Sequence, residues 1–224
     1  MFFVHDSDTA MSARVLVAFY STYGHTFQMA RAVTDGAGEV VHTQTRLRCI
    51  PELLAARDAL SGQKAYQKAQ AQMRNVDEVT LDDLRWADGI CWGTPTRFGN
   101  MSAQMKQFLD TTGGLWMDGA LEGKPAGVFT STATTHGGQE STILTTFVPL
   151  LHHGMILVGT PYGENEPLNT SAAIGGSPYG PGTLAGPDGS RQPDERELTM
   201  ARNLGRRVAR VAARLKTEPV APAS

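Results

Sequence analysis

The sequence predicts an α/β protein: a doubly wound, five-stranded parallel sheet with helices on both faces, a three-layer sandwich. Two observations carry this reading. Unbroken apolar runs such as Val15–Tyr20 and Gly89–Gly93 read as strands buried on both faces. Amphipathic helical patterns alternate with them, which argues for parallel strands joined by helical connections. A third observation concerns use rather than fold. Several of these strands end in loops rich in hydroxyl residues and glycine, where ligands of such sheets bind.

In chain order, Val15–Tyr20 is the first strand, followed by a helix from about Thr26 to Gly36 with Ala30, Val33 and Ala37 on its inner side. A short strand is expected over Glu39–Arg46. Residues 51–85 read as polar helix broken near Gly62, an insertion facing solvent or a partner subunit. Gly89–Gly93 is the next strand, and Met101, Met105, Phe108, Leu109 and Thr112 mark the helix after it. Ala126–Ser131 is a further strand, with a helix carrying Ile143, Leu144, Phe147, Leu150 and Leu151. Met155–Val158 is the last strand. Gly159–Asp194 holds eight Gly and six Pro and reads as one long irregular segment. Leu198, Ala201, Gly205, Val208, Ala212 and Leu215 repeat at steps of three and four, which gives the closing helix.

Composition bounds the rest. With 224 residues, 41% apolar and 19% charged, the chain can bury a sizeable core in one domain. That domain is expected over 14–216, after an N-terminal extension (1–13, expected to be disordered) and before a flexible tail (217–224). A formal net charge of −2 argues against nucleic acid or an anionic membrane as partner. No apolar run is long enough to span a bilayer. Arg202, Arg206, Arg207, Arg210 and Arg214 lie opposite an apolar face and read as solvated helix surface. Two cysteines, Cys49 and Cys91, are too few for a disulfide framework or a zinc site, which fits a reducing compartment.

The chemistry sits in three loops. Ser21-Thr22-Tyr23-Gly24-His25-Thr26 joins the first strand to its helix, the layout of an anion site built on free helix N–H groups. It lacks the Lys of a Walker loop and the G-x-G-x-x-G of a dinucleotide fold. Neutral donors of this kind suit a phosphate monoester such as that of flavin mononucleotide (FMN), although the same pattern also serves as a plain helix cap. The second loop runs through Thr94, Pro95, Thr96, Arg97, Phe98 and Gly99, whose backbone could bond the polar edge of a flavin ring. Arg97 could add positive charge there or close a surface ion pair. Phe98 and Trp116 could wall a planar ring or simply pack. The third loop runs through Ser131, Thr132, Ala133, Thr134, Thr135 and His136.

Taken together, Ser21-Thr22-Tyr23-Gly24-His25, Gly93-Thr94-Pro95-Thr96-Arg97-Phe98-Gly99-Asn100-Met101, Thr112-Gly113-Gly114-Leu115-Trp116 and His152-His153-Gly154-Met155 closely resemble the WrbA-type NAD(P)H:quinone oxidoreductases. Gly175–Gly180 and Asp188–Pro193 belong to the same resemblance, which runs from about Val15 to Leu215. It implies a flavodoxin-like domain that binds FMN and assembles as a homotetramer, a dimer of dimers, in the cytoplasm. The implied activity is two-electron reduction of quinones with NADH or NADPH, by ping-pong hydride transfer through flavin N5. It further implies that Ser21 to Thr26 hold the FMN phosphate and that Thr96, Arg97 and Phe98 border the ring. Tyr23 would meet the dinucleotide, Trp116 the substrate cavity across a subunit boundary, and His152 the flavin.

The third loop departs from that family, which usually reads Ser-Thr-Gly-Thr-Gly-Gly where this chain has Ser131-Thr132-Ala133-Thr134-Thr135-His136. Residues that tolerate positive φ poorly replace glycines there. Quinone reduction needs a proton donor, and His152 and His136 are the candidates. Adjacent His152 and His153 lack the i, i+4 spacing of a helical zinc site, so no metal is expected. The competing reading is a flavodoxin-like carrier that passes single electrons to protein partners.

Overall fold

The computed structural model describes residues 13–216. The expected extension and tail therefore lie outside the described residues, apart from Ala13, which opens the first strand. Strands β1 (Ala13–Phe19), β2 (Thr43–Cys49), β3 (Gly89–Pro95), β4 (Pro125–Thr132) and β5 (Ile156–Leu157) pair in parallel in the order β2-β1-β3-β4-β5. This is the doubly wound order, with its switch point between β1 and β3.

The strand at the β4 edge is split. β5 pairs only with Pro125 and Ala126, while β6 (Gly182–Leu184) pairs with Thr130, Ser131 and Thr132. The Gly/Pro-rich segment is thus an excursion that leaves the sheet after Leu157 and returns to finish the same edge. The expected last strand, Met155–Val158, is shorter than predicted, and its other half lies in a stretch read as wholly irregular. A three-residue Gly-Thr-Leu strand carries too little pattern to be seen among prolines and glycines. β2 is also displaced from the expected Glu39–Arg46, because helix α1 (His25–Gly38) and its turn run on to about residue 42. As an edge strand of polar alternation, Thr-Gln-Thr-Arg-Leu-Arg-Cys has no continuous apolar run to mark its start.

Alternating strand residues feed two cores. Val15, Val17, Phe19, Cys91 and Phe129 face α1 and α8 (Glu195–Lys216). Leu16, Ala18, Ile90, Trp92 and Val128 face the opposite layer. That layer comprises α4 (Leu81–Trp86), α5 (Ala103–Asp110), α6 (Gly113–Met117) and α7 (Gln139–His152). The segment expected as an exposed insertion breaks at Gly62 into α2 (Leu54–Leu60) and α3 (Lys64–Met73). It is not merely a surface elaboration: Ala69 and Met73 of α3 enter the α1/α8 core.

Helices α1 and α8 meet backbone to backbone. A Cβ on Gly36 would stand 2.0 Å from the Arg202 carbonyl oxygen, and one on Gly205 1.9 Å from that of Val33. The excursion is fastened to α8 by one side chain, the fully buried Glu197. Its carboxylate accepts from the N–H groups of Gly175 (2.7 Å), Leu184 (3.3 Å) and Asp194 (2.7 Å), from the Thr183 hydroxyl (2.8 Å) and from Arg191 (2.9 Å). Five donors satisfy a charge that would otherwise be costly to bury.

Candidate functional site

The carboxyl ends of β1, β3 and β4 open on one edge of the sheet into a cleft of about 750 Å³, within the range of small-molecule sites. The first wall is the β1–α1 loop. Gly24 is the N-cap of α1 at φ +93°, and no side chain caps the helix. The Gly24 N–H donates to Ser21 Oγ at 3.1 Å, which pulls the loop tight and leaves the next N–H groups of the helix without a side-chain acceptor. Ser21, Thr22, His25 and Thr26 are buried around it. Here the glycine is required, because positive φ is strained for other residues.

The second wall is a tight turn after β3. Arg97 and Asn100 exchange backbone bonds at 2.7 and 3.1 Å, with Phe98 at φ +53° and Gly99 at φ +75°. Both central residues are left-handed, the signature of a type I′ turn. The turn is fixed from three sides. The Thr96 N–H donates to the Ser131 carbonyl (2.9 Å), the Thr142 hydroxyl donates to Thr96 Oγ1 (2.8 Å), and Arg97 Nη2 donates to Thr22 Oγ1 (2.9 Å). Thr94 is buried below the turn and accepts from the Ser102 N–H.

The third wall follows β4. Thr132 Oγ1 donates to the Thr134 carbonyl and accepts from Gln139, so this hydroxyl is already committed. The glycine replacements are absorbed without strain. Among the described residues, non-glycine positive φ occurs only at His42 and Phe98, so Ala133, Thr134, Thr135 and His136 take ordinary backbone conformations.

Sequence reasoning missed two further walls. Gln63, Lys68 and Gln72 of the α2–α3 region line the cleft, and the Tyr23 hydroxyl donates to Gln63 Oε1 at 2.9 Å. The periodicity of Tyr66, Ala69 and Met73 was the available signal that this helix has a packed face. The other wall is residues 185–190 with Gln192. His25 Nε2 meets the Arg191 carbonyl at 3.0 Å, and Gln28 donates to Gln192 at 2.8 Å, pinning that wall to α1. Burial holds the His25 imidazole below its ordinary pKa, against the pull of the Arg191 and Gly189 carbonyls, so it is a neutral anchor.

Of the residues expected at the site, Ser21, Thr22, Tyr23, His25, Thr26, Pro95, Thr96, Arg97, Ser131, Thr132 and Ala133 line this cleft. Gly24, Thr94 and Gly99 support it from behind. Phe98, Thr134, Thr135, His136, Trp116 and His152 lie outside its lining within one chain. Phe98 projects fully exposed from its turn. Trp116 is 58% exposed, and its indole N–H donates to the His152 carbonyl at 2.9 Å. His153 is the buried member of the histidine pair. Its Nε2 meets Thr112 Oγ1 at 2.8 Å, and because that hydroxyl already donates to the Leu109 carbonyl, the imidazole is the donor. Trp116 and Met117 are exposed, as are Leu144, Val148 and Leu151, which recur at i, i+4, i+7 along α7.

Comparison with known proteins agrees with this geometry. The family described as NADPH-dependent FMN reductase matches residues 11–163. A protein of Geotalea uraniireducens named NAD(P)H dehydrogenase (quinone) is 52% identical over 202 residues, covering 90% of this chain and 98% of its own. A protein of the same name from Aromatoleum aromaticum is 51% identical, covering 90% and 97%. Among solved structures, a flavodoxin, WrbA-like protein from Agrobacterium tumefaciens superposes with a TM-score of 0.63 at 26% identity, over 91% of this chain and 99% of that one. An archaeal flavodoxin, 18% identical with a TM-score of 0.55, shares the fold.

Proposed function

This chain belongs to the NADPH-dependent FMN reductase family, and from that membership we propose that it is an FMN-dependent NAD(P)H:quinone oxidoreductase. The observation that carries the reading is the uncapped N-terminus of α1, set among buried hydroxyls at the meeting of three strand ends. A phosphate monoester fits there: the free N–H groups need an acceptor, and the helix dipole favours an anion. The cleft beyond has room for a planar ring bounded by the Thr96–Arg97 turn.

Bound FMN supplies hydride acceptance and donation; the chain supplies placement and electrostatics. The Ser21 hydroxyl, the Thr22 N–H and the first amides of α1 hold the phosphate. Pro95, Thr96 and Arg97 border the ring, backed by Thr94 and Gly99, with Arg97 presenting a positive charge to it, while Phe98 stands on its exposed turn outside the lining of one chain. Ser131, Thr132 and Ala133 of the third loop close the far side through backbone N–H groups and the Ser131 hydroxyl. Tyr23, half-exposed at the rim, meets the dinucleotide. Because one cleft serves both substrates, reductant leaves before quinone enters.

Trp116 and His152 act in the cleft of a neighbouring subunit, which requires assembly; we read the assembly as a homotetramer. The exposed apolar residues Trp116, Met117, Leu144, Val148 and Leu151 support that reading, since such a surface is buried when copies associate. In that setting the exposed His152 imidazole stands as the proton donor to the quinone oxygen. We place the protein in the cytoplasm, where Cys49 and Cys91 remain free thiols. A one-electron carrier is not favoured, because full-length relatives at about half identity carry the quinone dehydrogenase name.

An anaerobic titration tests the proposal. One equivalent of NADH or NADPH should bleach the flavin of the loaded protein, and one of benzoquinone should restore it. Flavin that neither nucleotide reduces would refute it.

A further inference from the structure

Helix α3 brings to the cleft a cation that nothing else in the described chain engages. Its residues Ala69 and Gln72 lie over the β1–α1 loop: a Cβ on Gly24 would meet Gln72 Oε1 at 3.5 Å and the Ala69 Cβ at 3.7 Å. Lys68, one residue earlier, lines the same cleft. Among the described residues it has neither a carboxylate nor a hydrogen-bond partner.

The other ionisable groups of the lining are held by neutral partners. Arg97 donates to Thr22 Oγ1 and to the Thr96 carbonyl. Asp188 accepts from the Ser190 N–H and hydroxyl, which hold its carboxyl below the usual range. His25 is kept neutral by burial. A phosphate monoester carries about −1.5 to −2 near neutral pH. A helix N-terminus offers only about half a positive charge, and neutral hydroxyls offer none. Arg97, held at Thr22 Oγ1, is one cation of this cleft, and Lys68, in the same lining and without a partner among the described residues, is a second.

We propose that Lys68 is the counter-cation of the phosphate at the N-terminus of α1, the phosphate of FMN. This rests on the FMN reading above and changes it in one respect: the phosphate is held by one lysine as well as by neutral donors. A lysine is suited to the task as a compact, mobile point charge that reaches its anion without fixed geometry.

The test is flavin-fluorescence titration of the full chain, freed of flavin, with FMN and with riboflavin, which has no phosphate. Lys68→Ala should raise the Kd for FMN about tenfold and leave that for riboflavin unchanged. Lys68→Arg should restore FMN affinity, and Lys64→Ala, which removes the same charge from the same helix outside the cleft lining, should change neither. Equal weakening of both flavins would overturn the proposal by making Lys68 a packing residue of α3. Unaltered FMN affinity with a raised KM for NADPH would overturn it by assigning the lysine to the dinucleotide. A wild-type chain that binds neither flavin would overturn the FMN reading itself, which the variant results alone do not.

Discussion

Arg97 Nη2 donates to the Thr22 hydroxyl at 2.9 Å, joining two loops 75 residues apart in the chain. The chain of bonds continues downward. Thr22 donates to Tyr20 Oη (3.2 Å), Tyr20 donates to Glu52 (2.6 Å), and the Gln104 amide donates to both. Every proton in this series points toward Glu52, so a half-buried carboxylate sets the orientation of a cleft arginine. Burial and the bond to Glu52 also push the Tyr20 hydroxyl far above its ordinary pKa, keeping it a donor.

Thr22→Val removes the acceptor for Arg97 while nearly preserving volume. FMN affinity is expected to fall about threefold to tenfold, the net worth of one ordinary hydrogen bond. Flavin titration checks this, and unchanged affinity would mean that Arg97 does not need the bond. Tyr20→Phe is expected to lower stability by about 1–3 kcal/mol, because Gln104 and Glu52 lose a buried partner. Urea unfolding gives that number.

Gly36→Ala and Gly205→Ala should each be strongly destabilising, by about 3 kcal/mol or more. The added methyl group would stand about 2 Å from a backbone carbonyl of the facing helix, and backbone cannot rotate aside. Gly38→Ala, where a Cβ meets nothing within 4 Å, is the control and should be near neutral. A thermal melt of the three variants distinguishes helix crossing from mere helix propensity.

Glu197→Ala leaves the three N–H groups, the Thr183 hydroxyl and Arg191 without their acceptor. A loss of about 3–5 kcal/mol is expected, the usual cost of removing one partner from a buried charged network. Because Arg191 also carries the His25 contact, hydrogen exchange should rise across residues 185–192 beyond what the global loss explains.

Stability should fall on mild acidification. Burial lowers the pKa of His25, and burial with the neighbouring His152 lowers that of His153, each from an ordinary 6.5. The unfolded chain therefore takes up these protons first. The neutral-histidine contribution is complete above about pH 6.5 and is lost as pH falls toward the folded-state values. Tm should drop between about pH 7 and pH 5, and the double variant His25→Gln, His153→Gln should flatten the slope. Burial alone would raise Asp83 and Asp88, but hydrogen bonds from Thr80 and Arg46, and from Arg14 and Lys216, hold both below 3.8, outside this window.

What the sequence made legible follows from how each residue advertises itself. Val15–Phe19 and Gly89–Pro95 are buried on both faces, so their apolar runs are unbroken and the sheet could be read from them. The cleft was legible where a loop follows such a strand directly, as at Ser21–Thr26. Lys68 and Gln72 were not, because their helix buries only Tyr66, Ala69 and Met73 and its polar remainder resembles solvent-facing surface. Residues 185–192, of which Asp188–Pro193 were noticed only as part of a family resemblance, gave no sign of forming a cleft wall for another reason. They are positioned by Glu197 and His25, contacts long-range in sequence that leave no periodic trace. The exposed positions of Trp116 and His152 leave no trace in composition or spacing, since a lone aromatic in an apolar context reads equally well as packed, and only the family resemblance set Trp116 at a subunit boundary.

The divided strand bears on the fate of the chain in a crowded solution. A sheet ends in unpaired N–H and C=O groups, and a long flat border invites another chain to add itself there. Here one border comprises two residues of β5 and three of β6, with residues 158–181 interposed, too short a run in either piece to template such growth. The opposite border, β2, carries Arg46 and Arg48, ion-paired with Asp83 and Asp77, and a border of charged side chains is a poor template for another strand. The long Gly/Pro excursion that closes the ligand cleft therefore also interrupts the path to aggregation.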